Sequence, residues 1–157
     1  MFCKQRKVIA DMAYRNGAEP SQEANAAMQR SARFAAAQSA VERLTKQYPH
    51  MARASLAETR TCYARSGELD PEEVMLELRR FAHNFTGQGA SFNYPLITDI
   101  ANSLRAHLHS CGSLAALRPT VVEAHFNAIE EVLDKQLSGD GGAEGEAIMA
   151  RLTGMNA

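Results

Sequence analysis

A chain of 157 residues, with 17 Lys plus Arg against 18 Asp plus Glu and a formal net charge of −1, has room for one domain and an ordinary hydrophobic core. Within that length no separate catalytic domain is expected, and the balanced charge gives no argument for generalised attraction to nucleic acid or an anionic membrane. Trp is absent, β-branched residues are sparse and Ala is abundant, a composition that favours an all-α protein.

Residues 1–19 open with the basic cluster Lys4, Arg6 and Lys7, pass through Val8-Ile9-Ala10 and Met12, and break at Asn16-Gly17. They read as an N-terminal tail, either loosely docked or a short amphipathic segment. Residues 21–47 have strong helix propensity but a thin apolar face of Met28, Phe34, Val41 and Leu44. Such a helix leans on the outside of a bundle or completes its face by dimerising. Pro49 predicts a break there, as a new helix with proline at its first position or as a sharp kink. The following helix runs to about Ser66, with Met51 or Ala52, Leu56, Thr59 and Tyr63 as its buried stripe, and Gly67 ends it. Asp70 before Pro71-Glu72-Glu73 is the best start signal in the chain: an N-cap, a proline in the first turn, and acids at the positive end of the helix dipole.

Over residues 71–92, Val74, Leu78, Phe81, Ala82 and Phe85 repeat with the spacing of a helix that buries one face. At about 100° per residue, Val74, Leu78 and Phe85 fall within roughly 60° of Phe81, whereas His83 lies about 200° away. His83 therefore points away from the core. A turn at Asn93-Tyr94 leads to Pro95 and a helix over 95–110 with Ile97, Ile100, Ala101, Leu104 and Leu108 inside, and so short a link makes the two helices antiparallel. Cys111-Gly112-Ser113 stops that helix. Pro119 opens a last long helix over 119–138 with Val122, Phe126, Ile129, Leu133 and Leu137 as its stripe. Gly139-Asp140-Gly141-Gly142 reads as a flexible break, and residues 139–157 as a flexible C-terminal tail in which 146–152 form at most a turn or two. The segments 49–66, 71–92, 95–110 and 119–138 thus predict an antiparallel up-down four-helix bundle, with an additional N-terminal helix in the domain 20–138.

Chemistry concentrates around His83. Gly87 lies one turn on, on the same face, and a glycine within a helix costs about 1 kcal/mol relative to alanine. Its use here is clearance beside the imidazole, and Ala90 keeps the face low for a further turn. Arg79, four residues before His83, puts a cation where a phosphoryl group on the ring would need one. An open nucleophilic His, a small-residue clearing and a nearby cation point to phosphoryl transfer. Arg80, Asn84 and Gln88 flank His83 and are candidates for touching a partner, and Met75 and Leu76 are expected to form an apolar rim onto which a partner's helix packs.

The run Ala82-His83-x-x-x-Gly87, the aromatic Phe92 and the helix starting at Pro95 resemble the histidine-containing phosphotransfer (HPt) domains of bacterial two-component phosphorelays, over roughly residues 47–137. The resemblance implies a bundle whose second helix carries the phospho-accepting residue, His83. It also implies a chain that is not itself an enzyme with a kinase domain but a cytoplasmic phosphocarrier. Its partners would be a response-regulator receiver domain, a hybrid histidine kinase, or both, with the receiver supplying Mg²⁺ and this chain binding no cofactor. Two positions depart from the family pattern. Thr86 stands where a lysine is usual, and Asn93 where a glycine is usual; Asn tolerates the left-handed conformation that a helix end often needs. The loss of the lysine supports a second reading, a helical adaptor or scaffold that binds receiver or kinase domains without transferring phosphate. A third is an unrelated bundle that oligomerises through residues 21–47.

Other residues carry less. His107 and His109, two apart, lack the i, i+4 spacing of a helical metal pair and are expected on the surface, and no metal site is expected. His125 reads as a partly buried packing residue, and His50 has no visible partner. Cys3, Cys62 and Cys111 are widely spaced without a C-x-x-C pair, as in reduced cytoplasmic thiols. Neither a signal peptide nor a membrane span is expected, because the N-terminus lacks an apolar h-region and no run approaches about 18 apolar residues.

Overall fold

The structure, a computed structural model, describes residues 22–156, and the predicted tail over residues 1–19 lies outside them. The described residues form five α-helices and no strand: α1 (Gln22–Ala64), α2 (Pro71–Gln88), α3 (Pro95–Cys111), α4 (Pro119–Asp134) and α5 (Gly142–Asn156), with short 3₁₀ turns at Ala90–Phe92 and Leu114–Ala116. The chain divides into two compact units, Met1–Arg43 and Leu44–Ala157. Of the first, the described part is the leading portion of α1, on which Met28, Phe34 and Val41 are exposed.

Pro49 does not start a new helix. It lies inside α1, which continues through it. Proline removes one backbone donor and crowds the preceding turn, at about 3 kcal/mol in a helix interior. Packing on both sides of it offsets this. Tyr48 stacks on Phe92 at 4.8 Å between ring centres and lies tilted against Tyr94 at 5.7 Å, while Ala52 and Leu56 beyond the proline are buried. Polar links then run α1 antiparallel to α4. Arg53 donates to Leu133 O (2.7 Å) and pairs with Asp134, and two turns further on Arg60 pairs with Glu130 and donates to Asn127.

The entry to α2 is as the sequence predicts, with the Asp70 carboxylate accepting from Glu72 N at 2.9 Å ahead of Pro71. The buried face of α2 consists of Val74, Met75, Leu78, Phe81, Ala82 and Phe85. Phe81 lies 4.2 Å from Phe85 and meets Phe126 of α4 edge-on at 5.6 Å. Aromatic pairs in these geometries stabilise by roughly 0.5–1.5 kcal/mol beyond their buried area. The α2–α3 link is tight. Asn93 takes the left-handed conformation (φ 67°) that its side chain tolerates, and α3 runs back along α2, so that Arg79 reaches Gly112 O at one end while Thr86 faces Asn102 at the other.

The C-terminal segment departs most from expectation. Where a flexible tail is expected, Gly142–Asn156 is helical, and its Ile148 and Leu152 are buried in the core against α3 and α4. The connection is hydrogen-bonded, Gly139 N to Asn93 O (3.0 Å) and Leu96 N to Gly139 O (3.4 Å). Gly145 is required there, because a Cβ would fall 2.0 Å from Asp140 O. Lys135 bridges Glu131 and Glu144, Arg151 pairs with Glu131, and Arg118 donates to Met155 O. The last long helix correspondingly stops at Asp134 rather than near 138, and Leu137 packs from the turn that follows.

Candidate functional site

The outward face of α2 follows from its inward one: once Val74, Leu78, Phe81 and Phe85 are buried, the residues about half a turn away must face solvent. Leu76, Arg79, Arg80, His83, Asn84, Gly87, Gln88 and, in the 3₁₀ turn, Ala90 are all exposed. Among the described residues the imidazole of His83 makes no hydrogen bond, ion pair or ring contact, and neither do the side chains of Arg80, Asn84 and Gln88. A Cβ added to Gly87 would meet nothing within 4 Å. Among the described residues no packing therefore calls for glycine at that position, and nothing there offsets its helix cost.

Two predicted site residues, Met75 and Arg79, sit elsewhere than expected, and a third, Thr86, is directed at a neighbouring helix. Met75 does not join Leu76 in an apolar rim: it is 4% exposed, against 50% for Leu76. The buried arc of α2 extends from Phe81 through Ala82 to Met75, wider than the stripe taken from the periodicity. Arg79 donates from Nη2 to Gly112 O at 3.2 Å, so its guanidinium is held at the end of α3. Thr86 is half-buried, its hydroxyl 3.4 Å from Asn102 Oδ1, and its side chain turns towards α3.

The end of α2 is tied down by a residue the sequence did not single out. Thr98, in the first turn of α3, donates from Oγ1 to Thr86 O (3.2 Å) and accepts from Ala90 N (3.0 Å). Beneath it Gly89 is obligatory, since a Cβ would fall 2.7 Å from both Thr98 Oγ1 and Tyr94 O. The only signal was a hydroxyl residue amid the apolar pattern of α3.

Two other histidines are inside. His107 is not a surface residue but 7% exposed, because it lies seven residues after Ile100 and three after Leu104, on the buried face of α3. Burial holds its pKa below the usual histidine range, and the charge of Arg118 adds to this. Cys111 Sγ is 3.8 Å from its Nε2. His125 is fully buried rather than partly so, with Nδ1 donating to Val121 O (2.7 Å), which leaves Nε2 to accept from the Ser103 hydroxyl at 2.9 Å. Burial lowers its pKa, opposed by the bond to Val121. His50 and His109 are exposed. Among the described residues no cluster of three or more His, Cys, Asp or Glu could hold a metal ion, and no helix is long and apolar enough to cross a membrane.

The described residues are all helical or in turns between helices, and they present the solvent-open imidazole of His83 beside a bare glycine. Comparison with protein-family models, with curated proteins and with solved structures finds no match to this chain.

Proposed function

We propose that this chain is a histidine phosphocarrier of the HPt kind, in which the later part of α1 together with α2, α3 and α4 makes an up-and-down four-helix bundle and His83 accepts and donates a phosphoryl group between response-regulator receiver domains. The observation that carries the reading is the pairing of His83, exposed and free of any intramolecular partner among the described residues, with Gly87 one turn on, where a Cβ would meet nothing within 4 Å. A glycine without an internal reason on an exposed helix face is accounted for by an external surface that must come close.

In this reading the unprotonated ring nitrogen of His83 attacks the aspartyl phosphate of a docked receiver in line. The N–P bond forms as the P–O bond to the aspartate breaks, and the carboxylate leaves with the electron pair. The receiver contributes Mg²⁺, which offsets the charge of the phosphoryl oxygens; this chain contributes position and an unhindered nucleophile. Leu76 is the apolar contact for the partner's helix, with Arg80, Asn84, Gln88 and Ala90 around the ring. The protein then works in the cytoplasm, and a receiver domain or a hybrid kinase is its partner.

The test is phosphate transfer from a panel of phosphorylated receiver domains to the purified protein beside His83→Gln. Acid-labile, base-stable label on the native chain and none on the variant supports the reading; equal label on both would sink the site assignment. Thr86 and Arg79 favour a second reading. Neither is directed at His83, Thr86 being turned to Asn102 and Arg79 to Gly112 O. A non-transferring adaptor would bind a receiver or kinase with no label and be indifferent to His83→Gln.

A further inference from the structure

We propose that Thr98 is a positioning residue for the His83 site, its hydroxyl fixing the last turn of α2 and the small-residue platform after it as one docking surface for the receiver. The inference rests on the phosphotransfer reading above. An α-helix ends with four carbonyls that lack an intrahelical donor. In α2, Phe85 O accepts from Gly89 N (3.1 Å), Gly87 O from the Ser91 hydroxyl (3.2 Å), and Thr86 O from Thr98 Oγ1 (3.2 Å). Of these three donors only Thr98 belongs to another α-helix, Ser91 lying in the 3₁₀ turn directly after α2.

The same oxygen accepts from Ala90 N at 3.0 Å, so one hydroxyl spans the junction between the α-helix and the 3₁₀ turn. It lies over Gly89, which has no Cβ to push it away. A hydroxyl can serve both bonds because it has one donor and two acceptor sites. Valine has nearly the same shape and neither capacity. In Thr98→Val, Thr86 O and Ala90 N–H turn to water, and Gly87 and Ala90 are no longer held at a single height beside the imidazole. A receiver must then select the competent arrangement from several, and its apparent affinity falls by the fraction of time that arrangement is populated. The reacting ring is untouched, so the rate within the assembled complex is preserved. The signature is a raised half-saturating receiver concentration with little change in maximal rate, which is loss of binding rather than of transition-state stabilisation.

The experiment compares the full chain with Thr98→Val and Thr98→Ser, measuring transfer rate against receiver concentration and amide exchange at Ala90 by NMR. Expected for Thr98→Val are an Ala90 exchange rate and a half-saturating concentration each raised by roughly tenfold, with maximal rate within about twofold, and for Thr98→Ser a return towards the native values. Faster exchange at Ala90 with an unchanged concentration dependence would overturn the inference and leave the phosphotransfer reading standing, as would a Thr98→Ser variant as impaired as Thr98→Val. Absence of label on the native chain from every receiver would overturn the phosphotransfer reading itself, and the inference with it.

Discussion

Gly87 and Gly89 are two residues apart and are kept for opposite reasons. Gly89 serves the fold, because a methyl group there would sit 2.7 Å from Thr98 Oγ1 and Tyr94 O; Gly87 has open space around it. Gly89→Ala should therefore lower the melting temperature, at a cost of about 1–3 kcal/mol for overpacking against backbone. Gly87→Ala should leave stability unchanged or raise it by up to about 1 kcal/mol, the helix-propensity gain, while slowing phosphate uptake by His83 at least tenfold. Thermal unfolding and transfer rates on the two variants separate these effects, and a Gly87→Ala chain that transfers at the native rate contradicts the clearance argument. His83 and Gly87 were legible in the sequence because exposure on one helix follows from the phase of its apolar residues alone. Met75 and Thr98 were not, since the width of a buried arc and a hydroxyl reaching another helix depend on what packs alongside.

At the scale of elements, local signals were reliable where the chain itself supplies the partner. Asp70 caps its own helix, and Asn93 sits in the left-handed conformation expected of it. They misled where distant packing decides. Pro49 offers the start of a new helix, yet Tyr48, Ala52 and Leu56 are buried on either side of it and α1 runs through it. Pro49→Ala should accordingly raise stability, by up to about 3 kcal/mol, with helical content unchanged; a loss of stability would show that the proline is needed rather than tolerated. Helix α5 was hidden for a different reason. Gly142, Gly145 and Gly154 depress its intrinsic propensity, and Ile148 and Leu152 are too few to show a period, although both are buried. Leu152→Ala should cost about 2–5 kcal/mol, the range for emptying a buried leucine site. Denaturant titration would give that figure; a value near zero would mean that α5 adds nothing to the core.

The molecule as a whole carries a pH dependence that belongs to its fold rather than to its site. His107 and His125 are both held below the ordinary histidine value of 6.5 by burial. The unfolded chain therefore binds more protons than the folded one just below that value, and stability rises with pH there. It is fully present above about pH 6.5 and is lost as pH falls from there towards the folded values. His125→Gln should flatten that loss; a melting temperature that climbs as the native protein is acidified would contradict the assignment. The central claim concerns a different histidine, His83, and the most direct measurement is the position of the phosphate itself. Native protein labelled by a receiver, then fragmented by electron transfer in a mass spectrometer at neutral pH, should carry one phosphoramidate, on His83. Phosphate on another residue, or a chain that binds the receiver and stays unmodified, would contradict the account.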